Sequence, residues 1–125
     1  MAGAVLDARF YRTAAGNEPV RDWLQGLSRG DRRVVGHDIG LVEDGWPVGM
    51  PVCRSLGGGL WEVRSDISDG RIARVIFLIQ RSEMVLLHGF IKKSQKTAKA
   101  DLETAARRLA DFTARLKHGA GKSKG

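Results

Sequence analysis

One cysteine, Cys53, stands among 125 residues. It cannot form an internal disulfide, and a reducing compartment is the simplest setting for the chain. The three histidines, His37, His88 and His118, are scattered. With one cysteine they offer no metal-ligand spacing, so neither a metal nor another cofactor is expected. The longest purely apolar run is Val75-Ile76-Phe77-Leu78-Ile79, far short of the roughly 20 residues of a membrane span. No basic stretch followed by a long apolar one comes after Met1, which argues against a secretion signal. These absences point to a cytoplasmic chain with no membrane attachment. The sequence also lacks a Ser/His/Asp set and a paired-acid motif. Gly57-Gly58-Gly59 lacks the lysine that a phosphate-binding loop requires, and reads as a flexible loop.

What is present is a globular composition, 42% hydrophobic and 28% charged, in a length suited to one domain with one real core. The charge is unevenly placed. Residues 1–83 hold 11 basic and 11 acidic side chains, whereas residues 84–125 hold 10 basic and 3 acidic, and so carry the whole net charge of +7. A polyanionic partner is the natural reading, because each neutralised phosphate releases counterions. A basic tail kept for solubility is the alternative.

Periodicity predicts an α+β fold. Val5 to Thr13 alternates as a strand, with Leu6, Ala8 and Phe10 on one face and Asp7, Arg9 and Tyr11 on the other. Pro19 suits the first turn of a short helix carrying Val20, Trp23, Leu24 and Leu27, which Ser28-Arg29-Gly30 would close. A second helix is predicted from about Asp31 to Asp44, with an apolar stripe of Val34, Val35, Ile39, Leu41 and Val42. The two should form a helical hairpin packed on a sheet. Gly45 to Gly59 reads as a loop. Strands are predicted over Leu60–Asp66, Arg71–Gln80 and Met84–Phe90, joined as an antiparallel meander. A last helix should begin near Thr97 as its N-cap and bury Leu102, Ala105, Ala106, Leu109, Phe112 and Leu116. The expectation is a single domain over residues 1–118, with a curved antiparallel sheet of about four strands and a disordered basic tail over residues 119–125.

The central hairpin allows a register to be argued. A two-residue Asp69-Gly70 turn would pair Arg64 with Val75 and put a charge on the apolar face. A three-residue loop, Ser68-Asp69-Gly70, pairs Trp61 with Phe77 and Val63 with Val75, and gives Gly70 the left-handed position such loops demand. This second register sets Arg64 directly opposite Arg74. Like charges so placed are destabilising, a cost that is reasonable if an anion sits between them. Two solvated arginines with Glu62 nearby as counterion is the other reading.

Downstream, His88-Gly89-Phe90-Ile91-Lys92-Lys93-Ser94-Gln95-Lys96-Thr97 leaves a strand and enters a helix. Helix N-termini favour anions. Lys92, Lys93, Lys96 and Lys99 add point charges for phosphate, and Phe90 could stack on an unpaired base.

These residues carry a resemblance. Leu60-Trp61-Glu62-Val63-Arg64, Arg74-Val75-Ile76-Phe77, the run from Leu86-Leu87-His88-Gly89-Phe90 to Lys96-Thr97, and Ala105-Ala106-Arg107-Arg108-Leu109 together resemble the RelE/ParE superfamily of toxins from bacterial type II toxin–antitoxin pairs. The similarity is greatest to the HigB-like branch, which includes phage-derived members, and spans roughly residues 54–112. The resemblance implies a strand, two helices, an antiparallel sheet and a C-terminal helix. It also implies a metal-independent mRNA interferase that cuts mRNA in the decoding site of the ribosome, neutralised by an antitoxin, often of helix-turn-helix type. By position, Arg64 and Arg74 match family arginines that meet the RNA, and Lys93 and Lys96 match the basic positions after the last strand. Arg54 falls near a basic position before the sheet, and His88 lies in a strand that bears catalytic side chains in some relatives. Where relatives use a tyrosine near the C-terminus, this chain has none, since Tyr11 is its only tyrosine.

RNA carries its own nucleophile, the 2′-hydroxyl, so a protein need only align it, take its proton and stabilise the phosphorane. Arg64 and Arg74 suit the last task. A lysine titrates ordinarily near about 10.4, and clustered positive charge would lower that value toward use as a base. His88 is intrinsically nearer neutrality. The expected catalytic set is therefore Arg64, Arg74, Lys93 and Lys96 with His88 in reserve, and the expected RNA-binding set is Arg54, Phe90, Lys92 and Lys99. A ParE-like inhibitor of DNA gyrase and a non-catalytic basic nucleic-acid-binding module are the competing readings.

Overall fold

The computed structural model describes residues 5–92 and 97–123, with side chains described through Lys117. The first strand is short, β1 (Asp7–Phe10), and is followed by α1 (Pro19–Gln25) and α2 (Arg29–Gly45). Then come β2 (Cys53–Gly57), β3 (Leu60–Asp66), β4 (Ile72–Gln80), β5 (Glu83–Lys92) and α3 (Lys99–Ser123). The strands form one five-stranded sheet in the order β1-β5-β4-β3-β2. The fold is α+β, as expected, but the sheet is mixed. β1 runs parallel to β5, which a chain path through α1 to β4 permits.

The fifth strand, β2, lies within the stretch read as a loop. Gly57, Gly58 and Gly59 take φ of +86°, +62° and +85°, a left-handed run that folds β2 back onto β3 at little steric cost. The triglycine is thus the turn of a hairpin. That hairpin sets Arg54 opposite Glu62.

The sheet separates two apolar clusters. On one face, α1 and α2 bury Val20, Val35, Ile39 and Val42 against Val63, Val75, Phe77 and Leu86. On the other, α3 brings Ala105, Leu109 and Phe112 to Tyr11, Leu60, Ile76, Val85 and Leu87. Phe77 is wholly buried, worth about 1.5–3 kcal/mol relative to exposure. The stripe expected on α2 is narrower than the sequence suggested. Val34 and Leu41 are exposed, and Val35, Ile39 and Val42 alone face the sheet. On α3, Ala106 and Leu116 are likewise exposed. Ser28 does not close α1. It caps α2, its hydroxyl accepting from the Asp31 amide at 3.2 Å.

The β3–β4 hairpin takes the expected register, with Trp61 opposite Phe77, Val63 opposite Val75 and Arg64 opposite Arg74. Gly70 has φ +67°, as that loop requires, and Asp69 shares the left-handed region at +62°. Asp31 ties this loop to the start of α2. Its carboxylate accepts from the Ser68 amide, the Ser68 hydroxyl and Arg71 Nη2 at 2.9–3.0 Å.

On β5 one residue is extra. Ile76 pairs with His88 and Phe77 with Leu86, so Leu87 is bulged. A bulge shifts the alternation by one residue. After it, His88, Phe90 and Lys92 share the α3 face with Leu87, and Gly89 turns to the α1 face, where the indole of Trp23 lies against it. α3 starts at Lys99 and continues through Ser123, past Gly119, where the expected tail would have begun.

Candidate functional site

Alternation along β3 places Glu62 and Arg64 on one face, and the register places Arg74 beside them. Pairing of β2 adds Arg54. Arg54, Glu62 and Arg74 meet at Thr97, just ahead of α3, with Arg64 opposite Arg74. Arg54 Nε donates to Glu62 Oε1 at 3.0 Å, and Arg74 Nη1 lies 3.5 Å from the same oxygen. The Thr97 hydroxyl donates to Glu62 Oε2 at 2.6 Å and accepts from Arg74 Nη1 at 3.0 Å and Arg54 Nη2 at 3.2 Å. Thr97 therefore serves this cluster rather than capping α3, because its hydroxyl is turned into the sheet. Glu62 and Arg74 have no solvent exposure, so their charges must satisfy each other. Burial lowers the pKa of Arg74 from its ordinary value, Glu62 opposes that shift, and the charges of Arg64 and Arg54 add to it. Arg54 and Arg74 thus share one carboxylate. Arg54 and Arg64 are half-buried and able to meet solvent.

A second group adjoins it. His88 Nε2 lies 2.8 Å from Asp101 Oδ1 and its Nδ1 lies 3.4 Å from Arg108 Nη1, which also donates to the Leu87 carbonyl at 2.8 Å. The His88 ring stacks on Phe90 with centroids 5.4 Å apart and planes at 20°. Lys92 Nζ is 3.9 Å from Asp101 Oδ2. Both histidine nitrogens face α3, so the ring pins the helix to β5.

The expected site residues fall into three groups. Arg54 and Arg74 come together at Glu62 and Thr97, with Arg64 opposite Arg74, and Arg74 is sealed in. His88, Phe90 and Lys92 lie beside them on the same face, with Phe90 buried against His88 rather than presented to solvent. Lys99 is almost fully exposed, its Nζ 3.9 Å from Glu103 on the next turn of α3. Lys93 and Lys96 lie outside the described residues. Thr97, Asp101 and Arg108 were not singled out for this region. Only Thr97 had a local signal, and that signal pointed to a cap. Asp101 and Arg108 are brought in by how α3 crosses the sheet.

Concavities among the described residues include two near these groups. One, about 240 Å³, is lined by Val34, Asp38, Pro51, Val52, Arg64 and Asp66 and borders the arginine cluster. The other, about 270 Å³, lies between β1 and α3. There the Tyr11 hydroxyl donates to Asp111 at 2.6 Å, Arg115 also pairs with Asp111, and Arg9 pairs with Glu83. Among the described residues, no three His, Cys, Asp or Glu side chains gather in a group that could hold a metal ion, and no helix is long and apolar enough to cross a membrane.

No curated protein is significantly similar to the chain. The family described as Phage derived protein Gp49-like (DUF891) matches residues 22–110, which include the arginine cluster and about the first half of α3. That family is RelE/toxin-like, in accord with the resemblance at this coarse level. The match covers well over half of the sequence, and the chain belongs to the Gp49-like family of phage-derived proteins.

Proposed function

We propose that this protein is the toxin of a type II toxin–antitoxin pair and acts as an endoribonuclease on mRNA. The observation that carries the reading is the gathering of Arg54 and Arg74 around Glu62 and Thr97, with Arg64 opposite Arg74 on the same sheet face. Arg64 and Arg54 grip the scissile phosphate, and buried Arg74 holds Glu62, which in turn fixes Arg54. The 2′-oxygen loses its proton and attacks phosphorus, the bond to the 5′-oxygen breaks, and the departing oxygen takes up a proton from a protonated lysine or water. The products are a 2′,3′-cyclic phosphate and a 5′-hydroxyl. Fixed guanidinium donors favour the phosphorane over the diester because its charge is greater, an effect worth several kcal/mol. With both nitrogens of His88 engaged by α3, proton removal falls to the basic segment comprising Lys92, Lys93 and Lys96. The HigB-like assignment, action in the ribosomal decoding site, a helix-turn-helix antitoxin and a cytoplasmic location belong to the same proposal and follow from the resemblance; the family match supports its toxin-like part.

The test is cleavage of a defined mRNA by the purified full-length protein, with and without ribosomes, read by primer extension. Wild type is expected to leave 5′-hydroxyl ends within codons, and Arg64→Ala to lose about 10²-fold or more. Intact mRNA together with inhibited gyrase would instead establish the binding poison, and neither effect would establish a non-catalytic module.

A further inference from the structure

At Thr97, side chains from β2, β3 and β4 converge on one oxygen just ahead of α3. Arg54 reaches it from β2, Glu62 from β3 and Arg74 from β4. A hydroxyl has one proton to give and two lone pairs to offer, and a guanidinium can only donate. The proton of Thr97 therefore goes to Glu62 Oε2 at 2.6 Å, and its lone pairs accept from Arg74 Nη1 at 3.0 Å and Arg54 Nη2 at 3.2 Å. The hydroxyl is saturated. Thr97 is 6% exposed, so water is a poor substitute for any of these partners. An N-cap role would need that oxygen to accept from an amide of the first helical turn, and both lone pairs are already taken.

Arg54 is the member of this network that also reaches the surface. Glu62 and Arg74 have no exposure, whereas the Arg54 side chain keeps 30%. Two of its nitrogens are held by different groups, Nε by Glu62 at 3.0 Å and Nη2 by Thr97. One hydrogen bond gives a planar group a direction; two from separate nitrogens also set its plane.

We infer that Thr97 is a positioning residue of the phosphate grip: its hydroxyl sets the plane of the Arg54 guanidinium, and so the direction in which that fork meets a phosphate. Attraction of a ground-state diester depends mainly on charge and distance, which Arg54 keeps in any orientation. Favouring the phosphorane requires donors aimed where charge develops. Losing the hydroxyl therefore lowers turnover more than binding. The inference rests on the nuclease reading for this chemical consequence, but the hold of Thr97 on Arg54 is measurable without cleavage.

The test compares full-length wild type, Thr97→Val, which keeps the branched shape and removes the hydroxyl, and Thr97→Ser, which returns it. In the first arm, the guanidinium nitrogen signals of Arg54 are followed by NMR without RNA and assigned with Arg54→Lys. Restrained rotation about Nε–Cζ gives separate Nη signals, and unrestrained rotation merges them. Wild type and Thr97→Ser are expected to show them separate, and Thr97→Val merged. Wild type is also expected to show a slowly exchanging Thr97 hydroxyl proton. In the second arm, Thr97→Val is expected to lose about tenfold or more in kcat on a defined mRNA with KM within about twofold. Thr97→Ser should recover most of the loss, and amide exchange at Leu102 should not change. Separate Arg54 signals in Thr97→Val overturn the proposal. So does a merged signal or a fast-exchanging hydroxyl in wild type, which needs no variant to fold. A kcat within about twofold of wild type overturns it as well, as does a loss accompanied by faster exchange at Leu102, which would assign Thr97 to the helix start. Uncut mRNA with the wild type removes the nuclease reading, and the first arm then decides whether Thr97 orients Arg54.

Discussion

Glu62 and Arg74 stand 3.5 Å apart with no solvent reaching either side chain, and Arg54 and Thr97 complete the carboxylate's shell. Breaking such a pair leaves a charge stranded in low dielectric, at a cost of about 3–5 kcal/mol, whereas removing both charges together costs far less. Glu62→Gln is therefore expected to lower stability by that amount in urea denaturation. Glu62→Leu combined with Arg74→Met should recover most of it without restoring cleavage, because Arg54 has then lost its anchor. A loss under about 1 kcal/mol for Glu62→Gln would mark the pair as hydrated, as surface ion pairs are.

Gly89 is the residue on which α1 closes. A Cβ built there would stand 2.4 Å from the Trp23 ring, closer than real contacts allow, and the indole is a rigid body held within the α1-side cluster. Gly89→Ala should cost about 3 kcal/mol or prevent folding. The check is equilibrium unfolding followed by tryptophan fluorescence. Trp23→Leu in the same background should restore part of the loss, because it removes the atoms that clash.

The arginine pair was legible in the sequence because everything that sets it is local. Ser68-Asp69-Gly70 fixes the loop, and alternation around Val63 and Val75 fixes the faces. Arg54 could not be placed by the same means, since Gly57-Gly58-Gly59 carries no side chains to show that it is a turn rather than a slack loop. The bulge at Leu87 is silent for a different reason. Leu86 and Leu87 are both apolar and satisfy either face, so nothing in the pattern shows the shift that re-aims His88 toward α3. Thr97 misled because its helix-capping preference is intrinsic, whereas the buried carboxylate that claims its hydroxyl comes from a strand 35 residues away. The basic character of the site was thus readable, and its inner acidic partner was visible only as a possible counterion. The parts set by how α3 crosses the sheet were not.

Asp31 gives the fold an acid limit. Hydrogen bonds from the Ser68 amide and hydroxyl, with Ser28 and the charge of Arg71, hold its pKa below the ordinary value of 3.8 against the opposing effect of burial. A carboxyl whose folded pKa is depressed contributes stability that is fully present above its unfolded pKa and disappears as pH falls through its folded one. Thermal midpoints of wild type should therefore fall as pH drops below about 4, and Asp31→Asn should lower the midpoint at neutral pH while flattening that decline. A variant whose acid decline matches wild type would place the sensitivity in other carboxylates.

His88 separates a catalytic role from a positioning one. With Nε2 against Asp101 at 2.8 Å and Nδ1 facing Arg108 at 3.4 Å, neither nitrogen is directed at the arginine cluster, and the ring joins β5 to the first turns of α3. Loss of a general base typically costs about 10²–10⁴ in rate. His88→Gln keeps a polar group able to reach Asp101, so cleavage should stay within about tenfold of wild type, with a flat ratio to wild type across pH 6 to 8. His88→Leu should instead loosen the start of α3, detectable as faster amide exchange at Leu102 and Ala105. A rate loss of 10² or more for the glutamine variant, with those amides unchanged, would return His88 to the chemistry and move the proton-accepting role away from the lysines.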